Sequence, residues 1–144
     1  MNTIKVKKYL DILEERTATA VAITPGMLLE LTSAGTVQAH STASGNVLPM
    51  VALEDSLQGN DYDDDYAVSV KIQIWIPQRG AEFYGILVAG GDVSIGDLLE
   101  SDGTGKLQAY DEDSTGIYYP NQIVGIAMEA VADSIDARII VKLF

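Results

Sequence analysis

The chain has 144 residues, no cysteine, and 21 acidic against nine basic residues, which gives a net charge of −12 at pH 7. This length suits a single domain with a core of its own. The lack of cysteine excludes disulfides, thiolate metal sites and a cysteine nucleophile, and the acidic field disfavours nucleic acid and anionic membranes as partners. Valine and isoleucine together number 26, against 13 glycines and four prolines, a balance typical of short strands joined by glycine turns. The sequence therefore predicts an all-β fold.

The first 20 residues are predicted to form an extended arm in front of a β domain at residues 21–144. Residues 1–16 hold four basic and three acidic residues, a net charge of +1, whereas the rest of the chain holds five basic and 18 acidic residues, a net charge of −13. The segment has neither a clean helical face nor an apolar run long enough for a signal peptide, so we expect a soluble protein made in the cytoplasm. As a docking arm it would use its basic and apolar side chains, which are Lys5, Lys7, Lys8, Tyr9, Leu10, Ile12 and Leu13. The alternative is a frayed terminus that only aids solubility.

Three segments in the first half of the domain predict strands. The turn sequences Pro25-Gly26 and Ser33-Ala34-Gly35 delimit a β-hairpin with strands at residues 27–31 and 36–39. A strand at residues 47–53 contains Pro49, which suits a sheet edge because proline lacks an N–H. Apolar and polar residues then alternate from Val68 to Ile76, the clearest strand pattern of the chain.

The second half predicts a further hairpin and two closing strands. Residues 82–88 are apolar but too short to assign. Residues 123–131 and 138–144 read as two strands that can pair across a turn at residues 133–136.

An internal repeat organises the domain. Its two copies, residues 23–54 and 93–129, are related by a spacing of 70 residues that lengthens to 75 after the hairpin, with seven identities between residues 23–40 and their counterparts. Neither copy carries a recognisable catalytic residue. The repeat therefore indicates architecture rather than chemistry.

No segment predicts a catalytic, cofactor or metal site. Residues 61–66 have the carboxylate density of a calcium loop, but Tyr66 stands where glycine is needed and Ile72 where a bidentate glutamate is needed. His40, the only histidine, is expected to be a loop residue, since the chain has no nucleophile elbow. We therefore expect a protein that is not an enzyme and needs no cofactor or metal.

Two residues are candidates for contacts between subunits. Trp75 occupies the polar parity of its strand, so it faces either a second buried layer or a subunit interface, where aromatic residues are enriched. Arg79 is one of only five basic residues outside the first 16. It forms either an ion pair within the chain or a bridge to carboxylates of another subunit.

The order of several segments from residue 17 to the end resembles the capsid cement, or head decoration, proteins of tailed bacteriophages. The segments are Pro25-Gly26-Met27-Leu28-Leu29-Glu30, residues 47–54, Ile76-Pro77-Gln78-Arg79-Gly80, residues 96–100, residues 126–131 and residues 138–141. The resemblance implies a small β-barrel-like domain called a β-tulip. It also implies a homotrimer on the outer surface of the virion shell, made in the host bacterium, with an N-terminal arm that contacts the major capsid protein.

The expected function is therefore to bind the assembled capsid as a trimer and to stabilise it against internal pressure. The alternative is a virion-surface adhesin that binds host glycan through its loops, with Tyr110, Tyr118 and Tyr119 as the stacking platform. A trimeric β-type enzyme ranks third. We expect removal of residues 1–16 to abolish shell binding and to leave the fold intact.

Overall fold

The computed structural model describes residues 3–8, 11–19, 21–111 and 116–144. In these ranges the chain forms eleven β-strands and two short 3-10 turns, and the predicted all-β class is confirmed. The strands are β1 (Lys5–Lys7), β2 (Leu13–Thr17), β3 (Leu29–Leu31), β4 (Val37–Ala39), β5 (Val51–Ala52), β6 (Lys71–Trp75), β7 (Glu82–Leu87), β8 (Leu98–Ser101), β9 (Leu107–Ala109), β10 (Ile123–Ala127) and β11 (Ala137–Leu143). The described residues contain no helix long and apolar enough to cross a bilayer.

Five of the strands close into a small barrel. Their order is β7-β11-β10-β8-β9, and a parallel pairing of β9 with β7 at Leu107 and Leu87 closes the ring. Strand β1 adds to the outside of β7. A three-stranded sheet, β2-β6-β5, and the β3-β4 hairpin complete the fold. The barrel-like form is thus confirmed, whereas the β-tulip form stays a prediction.

The core has two clusters that meet at β6. The first fills the barrel and includes Phe83, Leu99 and Val141, all completely buried. The second lies under the β3-β4 hairpin and receives Ile72 and Ile74 from β6. Each buried side chain of this size contributes roughly 1.5–3 kcal/mol to folding, so both faces of β6 stabilise the domain.

The N-terminal residues pair and pack with strands of the domain, and the boundary expected at residue 21 stays a prediction. Ile4 is completely buried in the barrel core, and Lys5 of β1 pairs with Phe83. Strand β2 pairs with all of β6, from Leu13 opposite Trp75 onwards. The physical reason is that β6 and β7 each offer an edge of N–H and C=O groups that a neighbouring strand can satisfy.

The strand predictions hold where the sequence pattern is local. The hairpin of residues 27–39 and the two closing strands are confirmed, and β5 lies at a sheet edge, as Pro49 suggested. The alternating strand is shorter than predicted, because Ser69 has a positive φ of 60° and leaves Val68 half exposed. Residues 82–87, which the sequence left unassigned, form the buried strand β7.

Candidate interaction surfaces

The internal repeat is a structural repeat. In the first hairpin, β3-β4, Leu29 pairs with Ala39, and in the second hairpin, β8-β9, Leu99 pairs with Ala109, so the register is equal after a shift of 70 residues. A cross-strand hydrogen bond is repeated as well. Gln38 Nε2 donates to Glu30 Oε1 at 2.7 Å, and Gln108 Nε2 donates to Glu100 Oε1 at 2.9 Å.

Each hairpin has a tip and a base. The tips are the turns at residues 32–36 and 102–106, and each is closed by a hydrogen bond between its first and last residues. The bases are residues 25–28 with 40 in the first copy and residues 95–98 with 110 in the second. Both bases contain the same main-chain hydrogen bond. His40 N–H donates to Leu28 O at 2.9 Å, and Tyr110 N–H donates to Leu98 O at 2.8 Å.

The second tip packs into the first base, a contact that we call the clasp. Leu28 N–H donates to Gly105 O at 2.8 Å, and Gly105 N–H donates to His40 O at 3.1 Å. Ser44 extends the contact by donating from its N–H to Ser101 O at 2.9 Å. The two copies of the repeat are therefore joined tip to base, by main-chain groups rather than by side chains alone.

His40 follows β4 in a loop, as expected, but it lies inside the clasp and is only 3% exposed. Its Nε2 lies 3.0 Å from Asn46 O, which can only accept, so Nε2 carries the proton. Nδ1 then accepts from Ser101 Oγ at 2.7 Å. A main-chain loop and a hairpin are thereby joined through one imidazole.

This cluster resembles a hydrolytic triad but lacks access. Glu30 Oε2 lies 3.8 Å from His40 Nε2, and Ser101 Oγ lies 2.7 Å from His40 Nδ1. The imidazole therefore lies between a carboxylate and a hydroxyl. Ser101 is completely buried, and its Oγ accepts from Gly103 N–H at 3.1 Å. Burial alone raises the pKa of Glu30, but hydrogen bonds from Ser41 and Gln38 outweigh it and hold the pKa below its usual value. The cluster therefore acts as a structural junction.

The second base is open where the first base is covered. It lines a groove of about 460 Å³, formed by Gly96, Asp97, Leu98, Ala109, Tyr110, Asp111 and Tyr118. The rings of Tyr110 and Tyr118 are stacked, with centroids 6.0 Å apart and an interplanar angle of 19°. Tyr119 N–H donates to Tyr110 Oη at 2.9 Å and fixes the pair. The three tyrosines named from the sequence thus come together at this groove.

The first tip is open in the same way. Leu31, just before the tip, is 49% exposed, and beside it lies an apolar cavity of about 240 Å³ lined by Leu29, Glu30, Leu31, His40, Asn46, Leu48 and Met50. Leu48 on the rim of this cavity is also exposed. The surface around the first tip therefore offers apolar contacts.

The two candidate subunit contacts named from the sequence both have partners within the chain. The Trp75 ring is completely buried in the barrel core, which favours the second buried layer over a subunit interface. Its Nε1 has no hydrogen-bond partner among the described residues. Arg79 is exposed, and its guanidinium lies 5.9 Å from the centre of the Phe144 ring, a cation–π contact within the chain.

The residues named for the arm lie at one end of the domain. Lys7 Nζ and Lys142 Nζ each lie 3.5 Å from the buried Glu82 carboxylate. Lys5 and Lys8 both form ion pairs with Asp11. Ile12 and Leu13 are about half exposed. Tyr9 and Leu10 lie outside the described residues.

The acidic loop is held by one arginine. Arg138 donates to Tyr62 O at 2.6 Å and to Asp63 Oδ1 at 3.2 Å, and its guanidinium lies 5.0 Å from the centre of the Tyr62 ring. In the part of the chain that the structure describes, no group of three or more histidine or acidic side chains is placed to hold a metal ion.

The comparisons with known proteins give a relationship of fold. No protein-family model and no curated protein matches the sequence. Among solved structures, the N base of head fibre gp8.5 of bacteriophage phi29 matches with a TM-score of 0.55 over 92% of this chain and 98% of that chain. The identity is 14%, so the likeness is one of fold.

Proposed function

We propose that the chain is a structural protein of a bacteriophage virion that binds the outer surface of the assembled capsid as a trimer and stabilises the shell. The observation that carries the proposal is the fold shared with a phage head-fibre base, which extends over nearly the whole of both chains. The order of sequence segments that resembles capsid cement proteins supports the same role independently.

The chemistry of the surface supports binding rather than catalysis. The hydroxyl of the Glu30, His40 and Ser101 cluster is inaccessible, because the Ser101 side chain has no exposed surface. The net charge of −12 opposes contact with packaged nucleic acid, so a shell contact has to come from apolar and hydrogen-bonding surface.

We assign the shell contact to the N-terminal end of the domain. Ile12 and Leu13 are about half exposed, and the side chain of Lys7 in the same N-terminal segment is 73% exposed, so this segment offers both an apolar and a basic patch. Strand β2, which carries Leu13, is an edge strand of its sheet, so it can also pair with an extended segment of a capsid subunit. A trimer carries three such patches, and linked binding sites raise a modest affinity through effective concentration.

The test uses empty, expanded shells of the phage that encodes the chain, mixed with purified protein and pelleted. The wild type is expected to pellet with the shells and to raise the temperature at which a dye enters them, because a ligand that binds only the assembled lattice stabilises it. Leu13→Asp is expected to weaken pelleting, whereas Leu57→Asp, at an 82% exposed leucine elsewhere, serves as the matched control. A wild type that never pellets with shells would refute the proposed function.

A further inference from the structure

The two copies of the repeat make unequal use of the same surfaces. Within the chain, the second tip is buried in the first base: Gly105 and Ser101 are buried, as are Pro25 and Leu28. The first tip and the second base are the equivalent surfaces, and among the described residues neither is covered by a corresponding contact. In the ranges that the structure describes, one tip and one base thus make no clasp of their own.

The uncovered tip and the uncovered base both carry exposed apolar residues. Leu31 is 49% exposed at the position equivalent to the buried Ser101. Ile95 is 69% exposed at the position equivalent to the buried Pro25. Exposed apolar side chains at both ends of one contact geometry indicate a protein contact.

We propose that the first tip of one chain docks into the second base of another copy, in the manner of the clasp. The occupant of the groove at Tyr110 and Tyr118 is then the turn at residues 32–36 of a neighbouring chain, and Leu31 of that neighbour packs near Tyr110, as Ser101 contacts His40 in the clasp. Such a contact is heterologous, since it joins two different surfaces, and it closes into a ring when the rotation between chains allows. This inference rests on the self-association in the proposed function, not on shell binding.

The two surfaces also carry polar groups that can pair. Arg16 donates to Gly35 O at 3.2 Å and brings a guanidinium, 36% exposed and already 3.1 Å from Glu14 Oε2, to the first tip. The groove of the second base contains the exposed carboxylates of Asp97 and Asp111. A guanidinium has five N–H donors, so Arg16 can bridge from Glu14 to a carboxylate of the groove.

The docked contact differs from the clasp in one respect. Gly35 N–H already donates to Thr32 O within its own turn at 3.0 Å, whereas Gly105 N–H donates across the clasp. The intermolecular contact therefore relies on Leu31, on the Arg16 charge and on the Gly35 carbonyl, which can accept a second hydrogen bond.

The first experiment measures association by sedimentation velocity over a range of concentrations. Leu31→Asp and Ile95→Asp are each expected to weaken self-association roughly tenfold or more, as loss of a central interface side chain does. The matched controls Leu57→Asp and Ile135→Asp replace residues that are 82% and 72% exposed, away from both surfaces, and are expected to change association little. Equal effects of all four variants, or none, would overturn the proposal.

The second experiment tests the direction of the contact. The chain has no cysteine, so Ala34→Cys at the first tip and Ala109→Cys at the second base each introduce the only thiol. The two sites are chosen from the clasp, where a Cβ on Gly105 would lie 3.0 Å from Ala39 Cβ. The counterpart of Gly105 is Gly35, which follows Ala34, and the counterpart of Ala39 is Ala109. With a short bismaleimide, each variant alone is expected to stay uncrosslinked, and an equimolar mixture to give covalent dimer.

The outcomes separate the alternatives. Crosslinking of either variant with itself as efficiently as in the mixture would show a symmetric interface and overturn the proposal. Absence of crosslinking, together with glycan binding that Tyr118→Ala abolishes, would instead make the groove a saccharide site. A protein that associates through these surfaces but never binds shells refutes the proposed function alone, and one that binds shells as a monomer refutes this inference alone.

Discussion

Replacement of Gly103 by alanine tests whether the two copies of the repeat are held together as the clasp requires. Gly103 has a φ of +87°, and a Cβ at this position would lie 2.7 Å from the main-chain nitrogen of Ala43 in the first copy. Main-chain atoms cannot move aside as a flexible side chain can. The residue next to Ala43 donates the clasp hydrogen bond from Ser44 N–H to Ser101 O, so the shift strains that bond.

The magnitude follows from three terms. A side chain in the left-handed region costs about 1–2 kcal/mol. Forcing an extra carbon into a packed contact adds about 1–3 kcal/mol, and a lost hydrogen bond adds about 1 kcal/mol. The control is Gly59→Ala, with a φ of +78° and nothing within 4 Å of its Cβ, which bears the first term only. Gly103→Ala is therefore expected to lower the free energy of unfolding by about 2 kcal/mol or more beyond the control.

Urea denaturation at low protein concentration measures this difference. Trp75 is the only tryptophan and is completely buried, so its fluorescence reports unfolding of the barrel core. Equal losses in the two variants would show that the second tip does not press against the Ala43 loop, and the reasoning from the clasp would fail.

Three further predictions concern stability. Burial raises the pKa of Tyr66 to about 12 from 10.0. The stability that the neutral side chain contributes is therefore complete below pH 10 and is lost as pH rises towards 12. In urea titrations, the free energy of unfolding of Tyr66→Phe should fall by about 1 kcal/mol less than that of the wild type between pH 9 and 11. The hydrogen bond from Lys106 lowers the pKa of Asp136, so this pair stabilises the fold above the ordinary aspartate pKa and its contribution fades as pH falls; Lys106→Met should flatten the acid limb of thermal unfolding curves, and an unchanged limb would contradict the assignment. Deletion of residues 1–16 removes β1, most of β2 and the buried Ile4, so circular dichroism should show a much lower melting temperature, whereas an unchanged one would restore the detachable arm expected from the sequence.

The parts of the fold that the sequence predicts are those decided by local chemistry. The hairpins could be predicted because Gly35 and Gly105 stand at equal places in two turns, and because the strands between the turns alternate. The repeat also holds in the register, since a shift of 70 residues carries the pair Glu30 and Gln38 onto the pair Glu100 and Gln108.

The parts that escaped prediction are those decided by pairing across long separations. Nothing local shows that Lys5 will pair with Phe83, or that β2 will lie on β6, because an edge strand and an extended arm have the same sequence pattern. The environment of His40 escaped for the same reason, since its partner Ser101 is 61 residues away. The odd parity of Trp75 was a true signal, but parity alone cannot tell a second core from a subunit interface.

The divergence between the copies is itself an argument about assembly. If both hairpins served only the monomer, the exposed copy would be expected to carry the more polar residues, because exposed positions tolerate polarity and buried ones exclude it. The reverse is found where buried Ser101 corresponds to exposed Leu31, and where buried His40 corresponds to the partly exposed Tyr110. Polar side chains that satisfy each other sit inside the clasp, and Leu31 and Tyr110 take their places on the other two surfaces, with the carboxylates of Asp97 and Asp111 beside Tyr110. A single exposed leucine would mean little. Here the exposed apolar residues lie on both the first tip and the second base, and the chain already joins one tip to one base in the clasp. Docking of the first tip into the second base of another chain explains them better.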